Sequence, residues 1–204
     1  MTRDCSAGRV STGTLTGTAL LLALGVVLPI VFQMMPLGGR IFLPMHLPTF
    51  VAGLVLGPVA GLIVGAGSPV VSGLLTGRPT VLYMVPMVFE LATYGLVAGL
   101  LRPRFAALLR RRARAGVLCE SDHAERPGAT ASPLAAVSLA LVCAMLAGRV
   151  VWIAVVVWFA PVIGLTARPI AMALGALGAG WIGTIIQLAL IPAIVRAIER
   201  TRKT

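Results

Sequence analysis

Glu90 and Arg149 are the residues that first demand a chemical explanation, because each stands inside a run that is otherwise compatible with hydrocarbon. An ionised side chain at such a depth costs about 2.5 to 3.5 kcal/mol on insertion scales unless it is paired or lines a polar cavity. Further polar groups accompany them. His46, Ser68, Ser72, Arg78 and Tyr94 interrupt the apolar stretch from Leu43 to Leu101, and Trp152 and Gln187 lie in later apolar runs. A carboxylate, a guanidinium, a phenol, an indole and an amide form a set suited to holding a small polar ligand. They do not form a catalytic set. No phosphate-binding G-x-x-x-x-G-K-[ST] and no H-E-x-x-H is present, and Ser68 lies between Gly67 and Pro69 with no nucleophile elbow. The chain is therefore read as no enzyme and as unable to power transport with ATP by itself. One intramembrane histidine without a neighbouring carboxylate, and Cys5, Cys119 and Cys143 without a CxxC pair, predict neither a metal site nor a cofactor.

The elements that position these residues follow from composition. Of 204 residues, 58% are hydrophobic and only 11% charged, and the mean hydropathy is +1.00. The apolar residues fall in runs of about 20, the length that crosses a ~30 Å hydrocarbon core. The net charge of +11 raises the possibility of nucleic acid. The basic residues, however, sit between apolar runs and do not line a helix face with interleaved aromatics, so a membrane protein with no nucleic-acid partner is expected. The fold class expected is an all-α integral membrane protein: one domain over 1–204, a bundle of six transmembrane helices. The spans are about 13–35, 41–57, 59–76, 81–101, 134–159 and 170–194, with a basic loop over 102–132.

The first run could be a signal peptide, since Arg3 and Arg9 precede it. Its length and the lack of an A-x-A site favour a retained helix. Gly57-Pro58 predicts a tight turn, Pro69 a kink in the third span, and Gly77-Arg78-Pro79 its end. Small residues recur at four-residue spacing at Ala19/Ala23, Gly61/Gly65, Gly95/Gly99, Ala136/Ala140/Ala144/Gly148 and Ala171/Gly175/Ala179/Gly183, which permits close helix approach and by itself indicates general bundle packing. The segment RPRFAALLRRRARAGVL predicts a short interfacial helix against anionic headgroups, and CESDHAERPGATASP a linker in which His123 is solvated. Two basic residues lie in the N-terminal tail, seven in 102–132 and four in the C-terminal tail, against one each near 40, 78 and 168. That excess predicts cytoplasmic N- and C-termini.

With that orientation, Glu90 lies roughly 18 Å above the inner end of the fourth span and Arg149 about 24 Å above that of the fifth, at ~1.5 Å per residue. The two are then within reach of each other at similar depth. Two readings stand: an ion pair that only holds two helices together, or a polar patch facing an outward cavity, with Tyr94 one turn below Glu90 and Trp152 near Arg149. Gln187 joins the patch or acts as interhelical glue. His46, at the outer rim, is a hydrogen-bonding loop residue or a ligand contact.

Several of these stretches together resemble the substrate-binding S component of an energy-coupling factor (ECF) vitamin transporter. They are Ala19-x-x-x-Ala23, LPMH-L-P at 43–48, the Gly57-Pro58 turn, Phe-Glu-Leu-Ala-Thr-Tyr-Gly at 89–95, and Gly148-Arg149-Val-Val-Trp152. The resemblance covers nearly the whole chain except the arginine-rich loop, which is longer than expected of such proteins. It implies a multi-pass protein of the plasma membrane that captures a small water-soluble vitamin at the outer face and topples in the bilayer to deliver it. It also implies docking on a membrane-embedded coupling subunit that carries two cytoplasmic ATPases. Ala19 and Ala23 would meet that subunit, and Glu90, Tyr94, Arg149 and Trp152 would line the pocket. The LPMH and FELATYG elements are closest to proteins assigned to pantothenate, with another vitamin or vitamin precursor as the alternative. A self-sufficient secondary transporter would show an internal repeat, which the two halves lack. A small membrane enzyme lacks its catalytic motif.

Overall fold

Polar side chains in apolar helices are tolerated when the helix itself satisfies them, and the first helix shows how. In the computed structural model, which describes residues 11–33, 44–119, 133–159 and 181–201, α1 spans Thr12–Gln33. The Thr16 and Thr18 hydroxyls donate to the carbonyls of Thr12 and Thr14, at 3.0 and 2.7 Å, so neither presents an unmet donor to lipid. The expected loop over 36–40, the linker over 120–132 and the start of the sixth span lie outside the described residues, as does Cys5.

The second helix is short. α2 runs Met45-capped over His46–Val51 and continues through one π turn, Ala52–Leu56, closed by Gly57 N–H on the Ala52 carbonyl at 3.1 Å. Its eleven residues rise about 16 Å, half a bilayer core. Residues 48–54 are buried throughout, which is why its sequence has no polar face. Gly57, at φ 111°, turns the chain straight into α3, Pro58–Thr76, with proline at the first helical position where its missing N–H costs nothing.

Backbones meet where α2, α3 and α4 cross. A Cβ on Gly95 would lie 2.2 Å from the Gly61 carbonyl oxygen, and one on Gly53 would lie 2.3 Å from that of Gly95. Only glycine allows this approach, and Gly53 completes a junction that the Gly61/Gly65 and Gly95/Gly99 spacing announced from two helices alone. α3 ends at left-handed Gly77, whose N–H reaches the Gly73 carbonyl at 2.9 Å. α4, Val81–Cys119, is a single helix of 39 residues. The expected break near 101 and the separate interfacial helix are absent. Pro103 removes one backbone donor, but the Ala, Leu and Arg residues after it are strong helix formers and carry the helix onward.

α5 spans Pro133–Phe159 and lays Ala136, Ala140, Ala144 and Gly148 along α4, all buried. α6, Trp181–Thr201, buries Gln187, Ile191 and Val195 at four-residue spacing. Ile191 and Val195 join Phe50, Leu91, Tyr94, Ala98 and Leu141 in one hydrophobic core. The described structure is all-helical, and four helices (Thr12–Phe32, Pro58–Thr76, Tyr83–Arg112 and Leu134–Phe159) are long and apolar enough to cross a membrane. Their outward faces carry Leu20, Val27, Leu74, Leu146 and Val150, the surface that lipid rather than water would cover.

Candidate functional site

Glu90 and Tyr94 are one turn apart on α4, so their side chains share a face. The Tyr94 hydroxyl donates to Glu90 Oε1 at 2.6 Å. Arg149, on α5, brings Nη1 to 3.2 Å from the same oxygen. Glu90 and Arg149, at similar depth by their sequence positions, are thus in contact. Glu90 is almost completely enclosed, with a side chain 5% exposed, whereas that of Arg149 is 23% exposed. The carboxylate is therefore the fixed inner member, and the guanidinium reaches it from a more open side. A pair with a hydrogen-bonding third partner is the form in which a carboxylate is tolerated at such depth.

Tyr94 is the largest fully buried side chain among the described residues. Its ring stacks on Phe50 with centroids 5.0 Å apart and an interplanar angle of 27°, and tilts against His46 at 5.3 Å. Space for the ring comes from Gly148, where a Cβ would fall 2.2 Å from Tyr94 Cε1. His46 is thus part of a buried wall on the first turn of α2 and not a residue in a rim loop. Trp152, buried, follows Gly148 by one turn on α5.

The Arg102 guanidinium donates to the Glu199 carboxylate and joins α4 to α6. Counting back twelve residues along each helix, about 18 Å, reaches Glu90 and Gln187. Ile191 and Val195 lie between those two points on α6, and they share the core with Tyr94 and Ala98 of α4. Gln187 is buried, and its Nε2 has no hydrogen-bond partner among the described residues.

The other intramembrane polar residues of the 43–101 stretch are accounted for locally. Ser68 Oγ donates to the Val64 carbonyl at 2.7 Å, and Ser72 Oγ to the Arg78 carbonyl at 3.1 Å. Arg78 is exposed in the α3–α4 turn. No group of three metal-ligating side chains occurs among the described residues. Ala19 and Ala23 are exposed on α1, on a face turned away from the bundle.

Three participants escaped sequence reasoning. Phe50 had a signal, being one turn after His46; Gly148 had one as the last of a small-residue series whose partner was unknown. The third is the tie of Arg102 to Glu199 and to the Leu54 carbonyl. It had none, because 97 residues separate the two charges.

The described helical body thus encloses a charge pair and, in Gln187, a buried amide donor without a partner among the described residues. The family model for the substrate-specific component of ECF transporters matches residues 13–198. The chain belongs to that family: it is a substrate-specific subunit of an ECF transporter, a multi-pass membrane protein that is not itself catalytic and that docks on an ECF module. No curated protein and no solved structure matches it.

Proposed function

We propose that this subunit captures a small water-soluble vitamin, pantothenate before others, at the outer face of the plasma membrane. In this reading Glu90, Tyr94, Arg149, Trp152, His46 and Gln187 hold it. The chain then delivers it inward while docked through Ala19 and Ala23 on a coupling subunit that carries two ATPases. In this reading the body is a bundle of six membrane helices, of which α2 crosses only part of the core, and both termini lie in the cytoplasm.

The observation that carries this reading is the buried cluster itself: Arg149 engages Glu90 through Nη1 at 3.2 Å while remaining a quarter exposed. A guanidinium has five N–H donors in a fixed fork, so donors remain for a ligand carboxylate. Gln187 offers an amide and Glu90 an acceptor for hydroxyl or amide groups, which matches a molecule that carries both a carboxylate and hydroxyls. The exposed small-residue face of α1 supports the docking role, because Ala19 and Ala23 let another helix come close.

The test is thermal unfolding of the purified chain against a panel of water-soluble vitamins. A ligand at ~100 times its Kd adds about 2.7 kcal/mol to the folded state. Stabilisation by one vitamin is expected. If no vitamin stabilises folded protein, the pantothenate assignment falls first; if the chain also fails to co-purify with an ATPase module, the delivery role falls with it.

A further inference from the structure

Beyond the site just described, α4 outruns the α2–α3 turn and leaves a cleft of 660 Å³ at the end of α2. The α2–α3 turn reaches only the level of Gly99, where an added Cβ would meet Pro58 Cα at 2.6 Å. From there α4 continues past the α2–α3 turn through Cys119. The cleft wall is made of small residues, Gly99, Ala106 and Ala107, and its far end carries Arg110 and Arg111. Those two arginines stand about 16 to 18 Å beyond Gly99 along the helix axis.

The charge in this cleft is not neutralised from within the described chain. Glu90 and Glu199 are the two described carboxylates, and they engage Arg149 and Arg102. Arg110 and Arg111 are exposed, with no acidic partner among the described residues. Arg102, also in the cleft, is tied to Glu199 and to the Leu54 carbonyl, so it shapes the floor and does not compete for an anion.

We propose that this cleft binds one anionic phospholipid, its phosphate on Arg110 and Arg111 and the upper part of its acyl chains along the small-residue wall. Both halves of that ligand are needed to use both halves of the cleft. A free phosphate would leave the apolar wall uncovered, and a neutral lipid would leave the guanidiniums without a counter-charge. Basic pockets at the ends of transmembrane helices favour anionic headgroups for this reason. The proposal depends on the chain being in a membrane and not on which solute the subunit carries.

Native mass spectrometry of the full chain in detergent, with phosphatidylglycerol or phosphatidylcholine at equal concentration, reads the site. One phosphatidylglycerol should be retained in preference. Arg110→Gln with Arg111→Gln should weaken retention about 30-fold, at roughly fivefold per guanidinium near the surface. Arg104→Gln with Arg112→Gln removes the same charge from the same helix outside the cleft and should change retention less than about threefold. Ala106→Leu fills the cleft with every charge kept and should also expel the lipid, which decides the matter if the double arginine variant does not fold. Equal retention of the two lipids, an equal loss in the Arg104/Arg112 variant, or retention unaffected by Ala106→Leu would each overturn the site. Displacement by millimolar inorganic phosphate would overturn the lipid as its occupant, and so would displacement by a co-purified protein partner. Because no vitamin enters this measurement, its failure leaves the proposed function standing, and loss of vitamin binding leaves the lipid site standing.

Discussion

At the scale of single residues, the energetics of the site centre on one oxygen. Glu90 Oε1 receives both the Tyr94 hydroxyl and Arg149 Nη1. Removing the guanidinium leaves a carboxylate enclosed without its counter-charge, and breaking a buried pair from one side costs about 3 to 5 kcal/mol. Arg149→Ala is therefore expected to destabilise the protein by about 3 kcal/mol, read from its unfolding transition, and to abolish stabilisation by the vitamin. The paired change Glu90→Gln with Arg149→Gln removes both charges and should recover most of the stability but none of the ligand response. If it recovers both, the pair only joins two helices. Gly148→Ala tests the wall rather than the charge: its new methyl meets the Tyr94 ring at 2.2 Å and must displace it. A loss of about 1 to 3 kcal/mol is expected from the overpacking, together with weaker vitamin binding, and a shift within ±0.5 kcal/mol with normal binding would contradict the geometry.

At the scale of elements, the two ways of using small residues are now separated. Gly61 and Gly95 face inward, and their backbones touch; Ala19 and Ala23 are exposed. Their substitutions should differ in kind. Gly95→Ala drives a Cβ to 2.2 Å from a carbonyl oxygen that cannot move without its helix. It should lower stability by more than 1 kcal/mol and reduce the yield of folded protein, as seen by size-exclusion chromatography. Ala19→Leu with Ala23→Leu should leave the unfolding transition within about 0.5 kcal/mol of the parent. The same change should prevent co-purification with a coupling subunit while vitamin binding persists. Loss of vitamin binding with intact co-purification would reverse the assignment.

At the scale of the whole molecule, the charges sort along the bundle. Arg102, Arg104, Arg110, Arg111 and Arg112 on α4, and Arg196 and Arg200 on α6, gather at one end, where Arg102 also holds Glu199. The Glu90 cluster lies about 18 Å from that pair. In the orientation proposed on the positive-inside rule, the arginine end faces the cytoplasm. With the native cysteines replaced, a single cysteine at Thr201 should react with a membrane-impermeant maleimide only in inside-out vesicles. Labelling in right-side-out vesicles would invert the orientation and with it the outward-facing site.

Much of this protein was already legible in its sequence. Runs of about 20 apolar residues must form helices in a bilayer, since no other local structure satisfies the backbone there. Isolated charges within such runs must find partners, and simple rise per residue put Glu90 and Arg149 at similar depths, within reach of each other. The small-residue spacing on α5 marked its buried face correctly. What the sequence could not contain were choices that depend on what lies across the bundle. It did not distinguish a short buried α2 from a full span, because an apolar run reads alike whether lipid or protein surrounds it. It did not end α4 correctly, because local propensity past Pro103 outweighed the proline and the arginines that looked like a boundary. The spacing of Ala19/Ala23 and of Gly61/Gly65 is the same in one dimension. Only packing decided that one pair closes the bundle and the other is left exposed. Likewise Arg102, Glu199 and the Leu54 carbonyl meet through the tertiary structure alone, since a helix fixes the spacing of its own side chains but not which distant helix it will face.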